Sequence, residues 1–353
     1  APQMLGGEIR DLLVELSGQI PRRQSRGEVK RKVIEKRKDL YAARKRKQSE
    51  IPKLNYPEPS VWPEWLRGRW NEGQAALGMS NIEGSLLAGL AKSRGWSERV
   101  MRSLVGLDKT SLPLLPWDWS GKQRAWAWKV EKPFPVKGRG GKELILVPVG
   151  YHGRYKFREK DGSILKKWHF VPSVPEPKRA DGSLKKLTEF QRDLVDYKTK
   201  CPPYPFVLGD LSAPRLVIIL EGQFDAVSFA DAFRWLENGF PAGVCVLGLR
   251  GVSSPAVMLS AYGVWLQKNQ PKVWIIGDGD AAGRKLGALD QGNEIVPEKM
   301  PFTDRLRGLG CEVRAEVIRQ PGCKDFNDVF KQGRPPLEIM QKWAKARGFG
   351  ELV

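Results

Sequence analysis

From Arg215 onward the chain alternates short, wholly apolar runs with longer helical segments, and two of the runs stop abruptly on acids. "RLVIIL" (215–220) leads into Glu221, "AGVCVLGL" (242–249) into Arg250, and "KVWIIGD" (272–278) into a second aspartate at Asp280. Between them, "DAVSFADAFRWLENG" (225–239) and "SPAVMLSAYGVWLQKN" (254–269) have the length of helices. A further helix is predicted to begin near Ala281, and a last strand at "EVRAEVI" (312–318). Short continuous apolar runs fit strands buried on both faces, and their alternation with helices predicts a parallel sheet flanked by helices. In such sheets functional residues gather at the carboxyl ends of the strands.

The residues at those ends are acidic. Glu221 closes the first run, with Asp225 opening the next helix; Asp278 and Asp280 close the third; "CKDFNDVF" after the last strand supplies Asp325 and Asp328. In a parallel sheet all of them project from one edge. Like charges that close are unfavourable unless a cation neutralises them. Oxygen donors that leave room for water and a phosphate suit Mg²⁺, with Mn²⁺ as its substitute. Gly279 is predicted to turn the chain so that both aspartates face one way, and Gly283 to let the next helix approach the strand. "GDGDAAG" also resembles the glycine-rich dinucleotide fingerprint, but its last glycine comes one residue late, and carboxylates between the glycines would repel a pyrophosphate. Helix capping could explain any one of these acids alone, but not three groups at three strand ends.

The 353 residues, 41% of them apolar, allow two domains and a substantial core. No run approaches the roughly 18 apolar residues of a membrane span, and the first residues lack the basic-then-apolar order of a signal peptide, so a cytoplasmic protein with no membrane partner is expected. Cys201, Cys245, Cys311 and Cys323 form no CxxC pair, and the histidines are His152 and His169 alone. Neither a zinc ribbon nor a disulfide framework is expected; the cysteines read as packing residues. From Leu216 on, 17 Lys and Arg face 16 Asp and Glu, so nearly all of the net charge of +20 lies earlier in the chain. A basic part that holds a polyanion, joined to a near-neutral part that acts on it, fits this asymmetry.

Residues 1–19 have amphipathic spacing (Ile9, Leu12, Leu13, Leu16), and between Pro21 and Glu50 there are 13 basic and 4 acidic residues, either a solvated helix or linker or an arm for phosphates. Val61 to Trp168 holds nine of the thirteen tryptophans, most of them expected in the core. Here "ELILVPVG" and "GRYKFR" read as strands divided by a turn at "GYHG". The stretch "YHGRYKFREKDGSILKKWHF" interleaves Tyr151, Tyr155, Phe157 and Trp168 with Arg154, Lys156, Arg158, Lys166 and Lys167. Aromatic faces that stack on bases, beside cations for the backbone, are what a single-strand groove needs; a twisted hairpin with a charged outer face has the same composition. A Pro-rich and Lys-rich stretch (172–215) then leads to the alternating region.

"LEGQFDA" (220–226), "GDGDAAGRKL" (277–286) and "KDFND" (324–328), with "LGLRG" between the first two, resemble the TOPRIM domain of bacterial-type (DnaG-like) primases, topoisomerases and some nucleases, and the primase branch most. "SRGWSERVM", "LILVPVGYHGRY" and "KKWHFVPS" resemble the basic subdomain that precedes it in primase polymerase cores. The resemblance implies an α/β fold: a C-terminal TOPRIM domain with a parallel sheet flanked by helices, preceded by a mixed α+β basic subdomain. The divisions it implies are a basic helical arm or linker (1–58), the basic subdomain (59–214), the catalytic domain (215–332) and a C-terminal helix (333–353). Two features depart from the pattern. The amino-terminal zinc ribbon of such primases is missing, and so is a G-x-x-x-x-G-K-[ST] helicase loop; residues 8–50 would correspond to the tail and linker that follow a zinc module.

By this resemblance the chain would join ribonucleotides on a single-stranded DNA template, with ribonucleoside triphosphates as substrates, Mg²⁺ or Mn²⁺ as cofactor, no zinc, and a replicative helicase as an open question among its partners. Asp278 and Asp280, helped by Asp325 and Asp328, would hold metal on the triphosphate. Glu221 and Asp225 would complete the site near the primer hydroxyl, with Glu221 as candidate base. Lys167 and Trp168 would contact template or nucleotide; Arg250 is either a phosphate contact or a surface arginine. The same acids would serve a metal-dependent nuclease, and a non-catalytic single-strand-binding accessory is the remaining alternative. A topoisomerase would need a nucleophilic tyrosine and a gate-forming module, for which 353 residues leave little room.

Overall fold

The structure, a computed structural model, describes residues 35, 38–39, 50–51, 91–97, 100, 114–116, 124–136, 139–158, 164–171, 203–250, 254–286 and 301–350. The expected helix over residues 1–19, most of the basic arm and most of the 172–215 stretch lie outside them. Two sheets account for the described strands. The first is four-stranded and antiparallel, in the order β1 (Leu114–Pro116), β2 (Arg124–Pro135), β3 (Leu144–Arg158) and β4 (Ile164–Val171). The second has five strands in the order β5-β7-β6-β8-β9, where β5 is Phe206–Gly209, β6 Leu216–Leu220, β7 Val244–Gly248, β8 Lys272–Gly277 and β9 Glu312–Val317.

β7, β6, β8 and β9 are parallel, as the apolar runs predict. The sheet is mostly and not wholly parallel, because β5, inside the Pro-rich stretch, adds an antiparallel edge against β7. The central strands β6, β7 and β8 are buried on both faces by simple alternation. Leu216, Ile218 and Leu220 point into one core layer with Val246, Trp274 and Ile276, while Val217 and Ile219 point into the other with Leu247, Val273 and Ile275. Helices α1 (Gln223–Ala232), α6 (Phe326–Lys331) and α7 (Leu337–Ala346) cover the first layer through Phe229, Phe326, Phe330 and Met340. Helices α3 (Ser254–Asn269) and α5 (Phe302–Gly308) cover the second through Tyr262, Trp265 and Leu306. Short helices α2 (Trp235–Asn238) and α4 (Ala281–Leu286) complete the described set. Among the described residues no helix is long and apolar enough to cross a membrane.

Two sequence expectations need correction. The segment 225–239 is not one helix: α1 stops after Ala232, and Arg234 takes a left-handed conformation (φ 64°) before α2 begins. Nor does "GYHG" divide two strands. β3 runs unbroken through Gly150–Gly153, and the irregularity the glycines allow is a bulge, where pairing slips between Val130 and Glu131 of β2. The continuity matters because it carries His152 to the second sheet's helices. Trp128 of β2, fully buried as the tryptophan reading expects, meets Phe206 and Phe224 edge-on at 4.9 and 5.6 Å. Trp96, also buried, meets Phe224 at 5.7 Å.

Candidate active site

β6 and β8 are neighbours in parallel register, with Leu220 opposite Ile276, so the residues that follow them emerge side by side. The Glu221 carboxylate accepts a hydrogen bond from the Asp278 backbone N–H at 3.1 Å. Asp225, in the first turn of α1, is 7% exposed, and its Oδ1 accepts from the Asn327 backbone N–H at 3.0 Å. Asp325 caps α6, its Oδ1 accepting from the Asp328 N–H at 2.7 Å. The first turns of α1 and α6 therefore meet, and they bring Asp225 and Asp325 to the rim where Glu221 and Asp278 emerge.

The charges interact strongly there. Burial, and then the nearby Asp225, Glu221 and Asp325 carboxylates, push Asp278 up to about 8. Burial, followed by Asp325, pushes Asp225 up to about 7 against the opposing Asn327 N–H and Arg94. Burial raises Glu221 as well, with the Asp278 N–H working against it. Asp280 differs. Its Oδ1 accepts from the N–H groups of Ala282 (2.9 Å) and Gly283 (3.1 Å), and its Oδ2 lies 3.1 Å from Lys324 Nζ. The Gly283 N–H and then the Lys324 ammonium hold it below the usual aspartate range. Asp328 is likewise engaged: Oδ2 accepts from the Lys324 N–H at 3.2 Å and Oδ1 pairs with Lys331 Nζ at 2.7 Å. Burial alone would raise Asp328, but the Lys331 contact and the backbone donors outweigh it and its pKa falls.

Two glycines make the rim compact. A Cβ on Gly283 would stand 2.1 Å from the Asp278 carbonyl oxygen and 2.6 Å from Glu221 Oε1, so the start of α4 lies against the strand end as expected. Gly279 works differently from the sequence expectation. It is not in the left-handed region; it is needed because the Ile318 carbonyl would be 2.9 Å from a Cβ, while its N–H donates to the Lys324 carbonyl at 2.6 Å.

The rim suits a hard divalent cation in its chemistry. Its donors are carboxylate oxygens, and among the described residues no lysine or arginine forms an ion pair with Glu221, Asp225, Asp278 or Asp325. Burial, and then repulsion from the neighbouring carboxylates, lifts Asp278 and Asp225, and a cation beside them relieves both. The side chains are not already gathered around one point: among the described residues no three His, Cys, Asp or Glu converge as a metal cage would. An ion held there would have to keep several of its waters, as Mg²⁺ commonly does.

Beside the rim lies a cavity of about 380 Å³ whose lining includes the acids Glu221, Asp225 and Asp325 together with Arg94, His152 and Arg250. Arg250 is buried, at 8% exposure, so of its two sequence readings the surface arginine is set aside. The other predicted cations are in the first sheet. β3 and β4 pair Arg154 with Trp168, Tyr155 with Lys167, Lys156 with Lys166 and Arg158 with Ile164 in backbone register, which brings them together in one hairpin; their side chains lie outside the described residues. Sequence reasoning missed three residues that join this region to the rim. His152 Nδ1 and Gln223 Oε1 are 3.2 Å apart. Arg94 donates to Asn327 Oδ1 at 3.1 Å and stacks over Phe224 at 3.9 Å. The fully buried Asn327 donates in turn to the Arg94 carbonyl (3.1 Å) and to Ser228 Oγ (2.7 Å). Each of the three lies inside a stretch that carries the family resemblance, Arg94 in "SRGWSERVM", His152 in "LILVPVGYHGRY" and Gln223 in "LEGQFDA", but nothing in the sequence tied any of them to the rim.

No protein-family model matches the chain, and none of the curated proteins does. Among solved structures it is similar to the primase fragment of the bacteriophage T7 primase-helicase protein, at 16% identity over 62% of this chain and 67% of that one, with a TM-score of 0.24. A second similar structure is a complex of bacteriophage T7 lagging-strand DNA polymerase with primase domains of two gp4 subunits bound to an RNA/DNA hybrid and dTTP, at 14% identity over 64% of this chain and 95% of that one, with a TM-score of 0.26.

Proposed function

We propose that the chain is a primase-type nucleotidyltransferase that joins ribonucleotides on single-stranded DNA, with residues 215–332 as its TOPRIM catalytic domain. The observation that supports this most is the meeting of Glu221, Asp225, Asp278 and Asp325 at one rim, where burial and then neighbouring carboxylates raise Asp225 and Asp278, burial raises Glu221, and none of the four forms an ion pair among the described residues. Glu221, Asp225 and Asp278 are the proposed holders of Mg²⁺ or Mn²⁺, with Asp280, Asp325 and Asp328 as nearer or more distant support. A bound divalent ion would neutralise the triphosphate and lower the pKa of the primer hydroxyl.

The chain's own residues then position and exchange protons. The primer 3′ oxygen attacks the α-phosphorus, the new O–P bond forms as the α–β anhydride breaks, and pyrophosphate leaves. Glu221 Oε1 is occupied by the Asp278 N–H, which leaves Oε2 to accept the hydroxyl proton. A carboxylate whose burial raises its pKa is a better base than one in water. Arg250 is proposed to face the phosphates, and Arg154, Lys156, Arg158, Lys166, Lys167 and Trp168 of the β3–β4 hairpin to hold the template strand through charge and stacking. Residues 59–214 form the template-holding subdomain in this reading, with 1–58 as its basic arm and 333–353 as the C-terminal cap; a replicative helicase is the natural further partner.

The test is incubation of the chain with a single-stranded DNA template, labelled ribonucleoside triphosphates and Mg²⁺ or Mn²⁺. Short RNA products that vanish in Asp278→Asn are the expected result. A shortened template would assign the same rim to a nuclease, and template binding without product would leave a non-catalytic accessory.

A further inference from the structure

Gln223, the first residue of α1, is 4% exposed and lines the 380 Å³ cavity beside the acidic rim. Its Oε1 lies 3.2 Å from His152 Nδ1, a contact that spans 71 residues and in which the Nδ1–H tautomer donates to the amide oxygen. That leaves Nε2, which carries two N–H donors and has no hydrogen-bond partner among the described residues. A buried amide donor without an acceptor is costly, and such a group at the wall of a cavity marks where a ligand acceptor belongs. The cavity is within the range of about 300–1,000 Å³ typical of small-molecule pockets.

The rest of the wall narrows the ligand's chemistry. Arg94 and Arg250 favour an anion, but Glu221, Asp225 and Asp325 would repel a free one. An anion that brings its own divalent cation satisfies both halves: its oxygens face the guanidinium and amide donors while the cation faces the carboxylates. We propose that this cavity receives the diphosphate end of a metal-chelated polyphosphate, with Gln223 Nε2 donating to a phosphoryl oxygen and His152 holding Gln223 in place. The proposal rests on the nucleotidyltransferase reading and gives its leaving group a seat. It makes Gln223 a ligand contact and His152, which comes from the other sheet, a positioning residue.

The experiment is calorimetric titration of the whole chain with inorganic pyrophosphate in excess Mg²⁺, beside a titration with Mn²⁺ alone. Gln223→Met, close in shape but without donors, is expected to weaken pyrophosphate on the order of tenfold while leaving Mn²⁺ affinity unchanged. Gln223→Glu keeps an oxygen for His152 and sets a negative charge against the phosphates, so binding is expected to disappear while the melting temperature shows the fold retained. Wild-type protein that does not bind magnesium pyrophosphate, or equal affinity in wild type and in the folded variants, overturns the proposal. The two readings fail separately. A chain that binds pyrophosphate through Gln223 but makes no RNA keeps the pocket and loses the polymerase; one that makes RNA with a pyrophosphate affinity indifferent to Gln223 loses the pocket alone.

Discussion

The Glu221 carboxylate receives the backbone N–H of Asp278 at 3.1 Å, a bond that ties the end of β6 to the end of β8 at the point where their acids emerge. One carboxylate thus does two things: it organises the neighbouring strand end and adds to the charge that raises Asp278.

Glu221→Gln separates these roles, because the amide oxygen still accepts the Asp278 N–H while the charge is gone. Without metal at pH 8 the variant is expected to unfold at higher denaturant than wild type, by about 1 kcal/mol, since repulsion on Asp278 and Asp225 is relieved. Ribonucleotide incorporation is expected to fall by about 10²–10⁴-fold. Urea melts and a labelled-primer assay on the same preparation read both.

Gly283→Ala tests the compactness of the rim. The added Cβ would meet backbone atoms of Asp278 at 2.1 and 2.3 Å, so α4 must move away from β8. A loss of about 2–3 kcal/mol in unfolding free energy is expected, measured by thermal or urea denaturation.

Asn327→Ala removes the fully buried amide that bonds the Arg94 carbonyl, the Arg94 guanidinium and Ser228 Oγ. It removes three hydrogen bonds that tie the segment 91–97 to helices α1 and α6. The expected loss is about 2–4 kcal/mol, together with earlier proteolytic cleavage or faster amide exchange in the segment around Arg94.

The lower face of α1 gives a pH dependence. Asp231, 1% exposed, is pushed up to about 6 by burial, against the opposing Arg334 guanidinium 2.5 Å away. Its folded pKa is above the unfolded value, so its contribution is fully present below about pH 4 and is lost as the pH rises through 6. Compared with Asp231→Asn, wild type should lose stability between about pH 4 and 6, on the order of 1–3 kcal/mol, in urea melts at fixed salt.

How much of this was legible follows from where the information sits. β6, β8, β9 and α3 are where their residues predicted, because short β-branched runs and a sixteen-residue helical stretch declare themselves locally. β5 was hidden in a Pro-rich stretch, since four residues against β7 carry almost no pattern of their own. The break before α2 depends on one left-handed residue, Arg234, which propensity does not favour there. Glu221 and Asp278 were legible because each ends an apolar run, and Asp225, Asp280, Asp325 and Asp328 because they follow closely on those runs or on the last strand. The roles of Gln223, His152 and Arg94 were not, because they arise from contacts across 71 to 233 residues of chain.

Divalent-cation binding to the acidic rim is the most direct test of all. Mn²⁺ titrated into the whole chain and followed by calorimetry or paramagnetic resonance should bind saturably, with Asp278→Asn and Asp225→Asn each weakening it on the order of tenfold or more while both variants stay folded. Binding of equal strength in the wild type and in both variants, or no binding to wild type at millimolar Mn²⁺, would contradict the account.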